Sequence, residues 1–140
     1  MKQTVMLRLQ GRQLYEEQEP EVIELVTEGT LERLTDGWRI CYEESDLTGL
    51  EGVTTIFRVQ SDRIVLTRKG RLDSQMVFQT GVLHESLYQM EFGALMITVC
   101  ATKIDWNINE QGGFVDLVYG IDIEHSAGGV VEYHLDIEAK

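Results

Sequence analysis

Apolar and polar residues alternate along most of this chain, and the alternation is clearest toward its C-terminal end. From Val115 onward the odd positions Val115, Leu117, Tyr119, Ile121 and Ile123 are large and apolar, whereas Asp116, Asp122 and Glu124 stand between them. Successive strand residues face opposite sides, so this is a strand with one wet and one dry face. The run His125-Ser126-Ala127-Gly128-Gly129 reads as a turn. After it Val131, Tyr133, Leu135 and Ile137 alternate with Glu132, His134, Asp136 and Glu138, completing a hairpin. No stretch carries convincing helical periodicity.

The same reading extends upstream. A first strand is predicted from about Thr4 to Gly11, with Val5, Leu7 and Leu9 inward. A long second one follows from about Glu21 to Leu34, with Ile23, Leu25, Thr27, Gly29 and Leu31 inward. Gly29 in mid-strand suggests a bend or bulge that lets the sheet curl. Thr35-Asp36-Gly37 is a tight-turn signal, and further strands are predicted at Trp38 to Glu44, Val53 to Val59, Arg63 to Lys69 and Asp73 to Thr80. Leu83 and Leu87 would also suit a helical turn, but Ser86, Tyr88 and the flanking Gly81 and Gly93 make Val82 to Met90 a short strand. Ala94 to Ile108 is one long strand or a bent pair, ending in the turn Asn109 to Gly113.

Eight to ten antiparallel strands joined in sequence order would leave two unpaired edges, and pairing the first strand with the last removes both. The predicted fold is therefore all-β, a single up-and-down antiparallel barrel over residues 1–140, with a two-sheet sandwich as the alternative. An interior formed by Ile23, Leu25, Ile64, Leu66, Phe78, Leu117 and Ile121 would be nearly filled, or just able to hold one small ligand.

Length and charge narrow the partners. A chain of 140 residues buries roughly 68% of its extended surface, enough for one core without disulfides or structural metal. Its 24 acidic residues against 12 basic ones give a formal charge of −12, which repels nucleic acid and anionic membranes. No run combines the length and apolarity of a signal core or a bilayer span, so a cytoplasmic setting is expected. Cys41 and Cys100 lie far apart without metal-ligand spacing and read as reduced strand residues. Pro20 precedes the second strand, where its missing donor does least harm.

A binding site in such a fold would show as polar groups where the alternation calls for apolar ones. Glu44 shares a face with Ile40 and Tyr42, and Arg68 shares one with Ile64 and Leu66. An inward charge needs a partner, so these two form a candidate pair; both stand at strand ends, where water is the alternative. Arg68, Lys69 and Arg71 are also the densest basic group and would attract a small anion. His84, Ser86 and Tyr88 alternate along one face, but neighbours on a strand do not make a nucleophile bonded to an oriented base. No histidine pair has zinc spacing, and the acidic run Glu16 to Glu21 lacks the Asp and Gly pattern of a calcium loop, so no metal or cofactor is expected. Trp38, Trp106, Phe57, Phe78, Phe92, Phe114 and Tyr133 read as core or rim.

The ordered set Tyr42-Glu43-Glu44-Ser45, Leu47-Thr48-Gly49, Glu51-Gly52, Thr54-Thr55, Arg68-Lys69-Gly70, Met76-Val77-Phe78 and Leu87-Tyr88, extended by Thr102-Lys103, Gly112-Gly113 and Tyr119, resembles the YwiB-like family of bacterial proteins. That family consists of small calycin or lipocalin-like β-barrels of unknown function. Its Tyr-any-Thr-Pro-aromatic-Gly pattern is met at Tyr88 and Phe92-Gly93, with Met90 and Glu91 in place of Thr and Pro. The resemblance implies the barrel fold and a bacterial cytosolic setting, and transfers no catalytic residue. The expected function is non-enzymatic, with a small apolar or anionic ligand held near Tyr42, Glu44, Arg68 and Tyr88. Two alternatives stand beside it: an interaction module, acting as a homodimer or with a basic partner, and an enzyme with Glu44 as acid or base and Arg68 stabilising negative charge.

Overall fold

The computed structural model describes residues 2–14, 19, 21–45, 50–90, 93–124 and 126–140. Within them run ten strands: β1 (Lys2–Leu14), β2 (Glu21–Leu34), β3 (Gly37–Glu43), β4 (Val53–Gln60), β5 (Ile64–Gly70), β6 (Ser74–Phe78), β7 (Leu83–Met90), β8 (Gly93–Asn109), β9 (Gly112–Ile123) and β10 (Ser126–Ala139). Every neighbouring pair is antiparallel, in the order β6-β5-β4-β3-β2-β1-β10-β9-β8-β7. The terminal strands do pair, through ten consecutive positions from Val5↔Ala139 to Leu14↔Val130. The sheet's free edges lie instead in mid-chain. Among the described residues β6 and β7 meet only at isolated bridges, Asp73↔Gln89 and Gln79↔Val82. Asp73 and Gln89 exchange backbone bonds of 2.9 and 2.8 Å, which leaves a nearly closed barrel.

The dry face is the inside. Val5, Leu7, Leu31, Ile40, Phe57, Val59, Ile64, Leu66, Phe78, Val115, Leu117 and Leu135 are almost wholly buried in one continuous cluster. Phe78 packs across the interior on Tyr119 at 4.5 Å between ring centres, and Phe57 on Tyr133 at 5.5 Å. One end of the barrel, which carries the turns at Thr35-Asp36 and Glu110-Gln111, is filled by Leu31, Trp38, Val59, Ile64, Phe78 and Ile108. The other end is open. Ile23, expected inside, is 42% exposed there, and Ile121 is half-buried, because both stand at the mouth above the filled layers.

Two local expectations change, and one pair of alternatives is decided. Gly29 is not a bulge: its pairings with Val5 and Tyr42 run in unbroken register. A Cβ there would lie 2.6 Å from the Cys41 carbonyl oxygen and 2.6 Å from Leu7 Cδ1, so glycine permits a close approach. The bulges fall elsewhere. One at Thr102, between Ala101 and Lys103, switches the inward residues of β8 from Ile97, Val99 and Ala101 to Ile104, Trp106 and Ile108. This makes one continuous strand of what reads in sequence as a long strand or a bent pair. The other lies between Ala127 and Gly129, so the predicted five-residue turn is already strand from Ser126. Phe114 and Trp106 are half-buried. Phe92, His125 and most of the acidic run Glu16 to Glu21 lie outside the described residues.

Candidate functional site

Where β3, β5, β7, β9 and β10 reach the open end, their inward positions carry polar side chains. Tyr42 and Thr55 continue the inward phases of β3 and β4, and both are buried. Arg68 follows Ile64 and Leu66 on β5, and Tyr88, Tyr119 and Tyr133 complete the ring from β7, β9 and β10.

Glu44 and Arg68 both point inward, with side chains 2% and 14% exposed, and the nearest approach is 4.0 Å, from Arg68 Nε to Glu44 Oε2. At that distance the charges interact but no hydrogen bond forms. Glu44 Oε2 instead accepts the buried Thr55 hydroxyl at 2.5 Å. Tyr42 and Tyr133 share one hydrogen bond of 3.0 Å across the barrel. Burial, reinforced by Tyr133 and Glu44, pushes the Tyr42 phenol far above the tyrosine range; burial does the same at Tyr133 and raises Tyr119 to about 12. Burial opposes the charge on Arg68, yet Tyr133, Tyr88, Glu44 and Tyr42 around it hold the guanidinium above its ordinary value. It is a permanent cation in a largely buried place.

A cleft of about 340 Å³ opens above this cluster, within the size range of small-molecule sites. Arg68, Tyr88, Tyr119 and Tyr133 form its polar floor; Met76, Leu95, Ile97, Ile121 and Val131 form apolar walls; Arg12 and Glu21 stand at the rim. Two buried side-chain polar atoms among the described residues lack any hydrogen-bond partner: Arg68 Nε and Ser74 Oγ. The register places Arg68 directly opposite Ser74 on β5 and β6.

Of the predicted site residues, Arg68 and Tyr88 line the cleft, while Tyr42 and Glu44 stand behind its floor. Lys69 and Arg71 separate from Arg68 and face solvent. His84 Nε2 bonds Gln79 Oε1 at 2.8 Å rather than Ser86 or Tyr88. Sequence reasoning missed Tyr119, Thr55 and Ser74 as members of the site. Their inward phase was the available signal, but a tyrosine in an apolar row reads as core. On the outside, His134 donates through Nδ1 to Asp116 and is 3.0 Å from Asp136 through Nε2, while Phe114 stacks on its ring.

The fold and this floor define a small antiparallel barrel with a buried cation beneath an open, apolar-walled end. The chain belongs to the family described as domain of unknown function (DUF1934), whose model matches residues 7–137. It is 28% identical over 82 residues to the uncharacterized β-barrel protein YwiB of Bacillus subtilis (strain 168), a match covering 59% of this chain and 56% of that protein's length. The crystal structure of the ywiB protein from Bacillus subtilis superimposes with a TM-score of 0.88 at 22% identity, covering 99% of this chain and 93% of that one. That likeness is one of fold.

Proposed function

We propose that the protein is a non-catalytic, cytoplasmic small-molecule binder whose ligand enters the open end of the barrel, resting a polar group on Arg68 and an apolar body on the walls. The observation that carries this reading is the position of the Arg68 guanidinium. A buried charge is retained in folded proteins where partners stabilise it, and a buried donor without a partner calls for an occupant. The tyrosines around Arg68 supply neutral dipoles without filling the cleft. The outer face supports a soluble setting: Arg8, Glu24, Asp136 and Glu138 point outward and the apolar residues inward, the reverse of a lipid-facing barrel. The calycin-like resemblance adds to the reading, since small ligands suit an interior of this size.

Native mass spectrometry of the full chain purified from its own host tests the proposal. The expected result is a bound mass that survives in the wild type and is lost in Arg68→Met. A wild-type spectrum showing the bare chain alone overturns it.

A second reading is favoured by one observation. Leu83 and Leu87 are 69% and 48% exposed on β7, beside the sparsely bonded β6/β7 seam. Such an edge suits strand pairing with a second copy of the chain. Sedimentation over a range of concentrations would then reveal a dimer that Leu83→Lys dissolves; a monomer throughout rejects it.

A further inference from the structure

Arg68 Nε and Ser74 Oγ belong to residues paired across one ladder, both inward and both buried, and neither atom has a hydrogen-bond partner. Cross-strand neighbours of this kind have Cβ atoms about 5 Å apart, close enough for one small group to touch both. An N–H and an O–H left side by side call for an acceptor; Arg68 lines the cleft, and Ser74, outside the lining itself, stands next to it on the neighbouring strand.

Resting on the reading of the cleft as a ligand site, we propose that the ligand is a singly charged carboxylate with an apolar chain or ring, its carboxylate held by Arg68 and Ser74 and its body lying on Met76, Leu95, Ile97, Ile121 and Val131 toward the mouth. A carboxylate is acceptor-only, and its two oxygens match a planar guanidinium and a neighbouring hydroxyl. The walls then take what remains of the molecule, since apart from the tyrosine floor the deep lining is apolar. The charge is limited to one by Glu44. Its carboxylate lies 4.0 Å from Arg68 Nε without a hydrogen bond, so a ligand anion bonded to the guanidinium would share with Glu44 the one deep cation found among the described residues. Arg12, the other cation of the cleft, stands exposed at the rim on β1. A phosphate monoester would bring a second negative charge toward Glu44, with no second cation at that depth among the described residues. The ring of phenols cannot compensate: with their ionisation displaced upward by burial, Tyr42, Tyr119 and Tyr133 remain neutral donors.

Calorimetric titration of the full chain with octanoate, octanol and octyl phosphate tests this. Octanoate is expected to bind about ten- to a hundredfold tighter than octanol, the factor that a hydrogen bond to a charged group supplies. Octyl phosphate should bind more weakly than octanoate, and Glu44→Gln should narrow that gap. Arg68→Met should remove the preference for octanoate over octanol while octanol still binds. Ser74→Ala, a milder change that keeps the charge, should weaken octanoate several-fold and leave octanol unaffected. Should octanol match octanoate, with both variants indifferent, the carboxylate assignment fails while the cleft remains a binding site. Octyl phosphate binding tightest overturns the single-charge limit. None of the three binding, together with a bare chain in the native spectrum, removes the cleft reading itself and this inference with it.

Discussion

Replacing Gly29 by alanine should destabilise the barrel, although alanine has less conformational freedom to lose on folding. The new methyl would lie 2.6 Å from the Cys41 carbonyl oxygen and 2.6 Å from Leu7 Cδ1. Cys41 is paired with Thr30 in the β2–β3 ladder, so its carbonyl retreats only by stretching that ladder. Leu7 is 1% exposed and has packed neighbours on every side. Forcing a methyl into such a space costs about 1–3 kcal/mol, against a gain of about 0.4–1 kcal/mol from restricting the unfolded chain. A net loss of about 1–2 kcal/mol follows. With a urea m-value of about 2 kcal/mol/M, the unfolding midpoint should fall by about 0.5–1 M. Urea titration followed by tryptophan fluorescence measures this, since Trp38 and Trp106 both contact the core. An unchanged or raised midpoint at the same m-value refutes the close-approach argument. A double-mutant cycle with Leu7→Ala identifies the obstruction: if Leu7 is responsible, the two substitutions together should cost about 1 kcal/mol less than their sum.

Thr55→Val keeps the shape of the side chain but removes the hydroxyl that bonds Glu44, and should cost about 1.5–3 kcal/mol in the same urea assay; a loss below about 0.5 kcal/mol rejects that bond as a stabilising contact. Hydrogen bonding to Asp116, then the nearby Asp136, raises the folded-state pKa of His134 above its ordinary value. Its contribution is therefore full below about pH 6.5 and fades as pH climbs through the raised value, so the stability difference between wild type and His134→Gln should shrink as the pH rises from about 6.5 through that raised value. A constant difference contradicts the pairing. In a near-ultraviolet absorbance titration, Tyr42, Tyr119 and Tyr133 of the five tyrosines should ionise only at about pH 12 or above, or together with unfolding. Full ionisation of all five in a folded protein near pH 10 excludes the buried ring.

The architecture was legible because a barrel's inside and outside follow from parity, a property of single residues. β2 was bounded correctly at both ends, and Val5, Leu7 and Leu9 were placed on the correct face. The bulges were not legible: each shifts parity by one, and nothing in Ala101-Thr102-Lys103 marks the shift in the way a glycine turn marks a hairpin. Gly29 misled for the opposite reason, since its partners on β1 and β3 are remote in sequence. At the site, the common inward facing of Glu44 and Arg68 followed from phase, as did their proposed pairing. The 4.0 Å gap, the Thr55 bond and the orphaned Ser74 did not, because they depend on strand register and rotamer.

The partner of β1 on one side is β2, made soon after it, and on the other side is β10, which is made only after the eight strands between them. During synthesis, therefore, one flank of β1 stays open until β10 has left the ribosome. Such a bare flank invites pairing with other nascent chains. The outward charges of β1, Lys2, Arg8 and Arg12, stand along it in the meantime, where like charge would repel a second copy of the same edge.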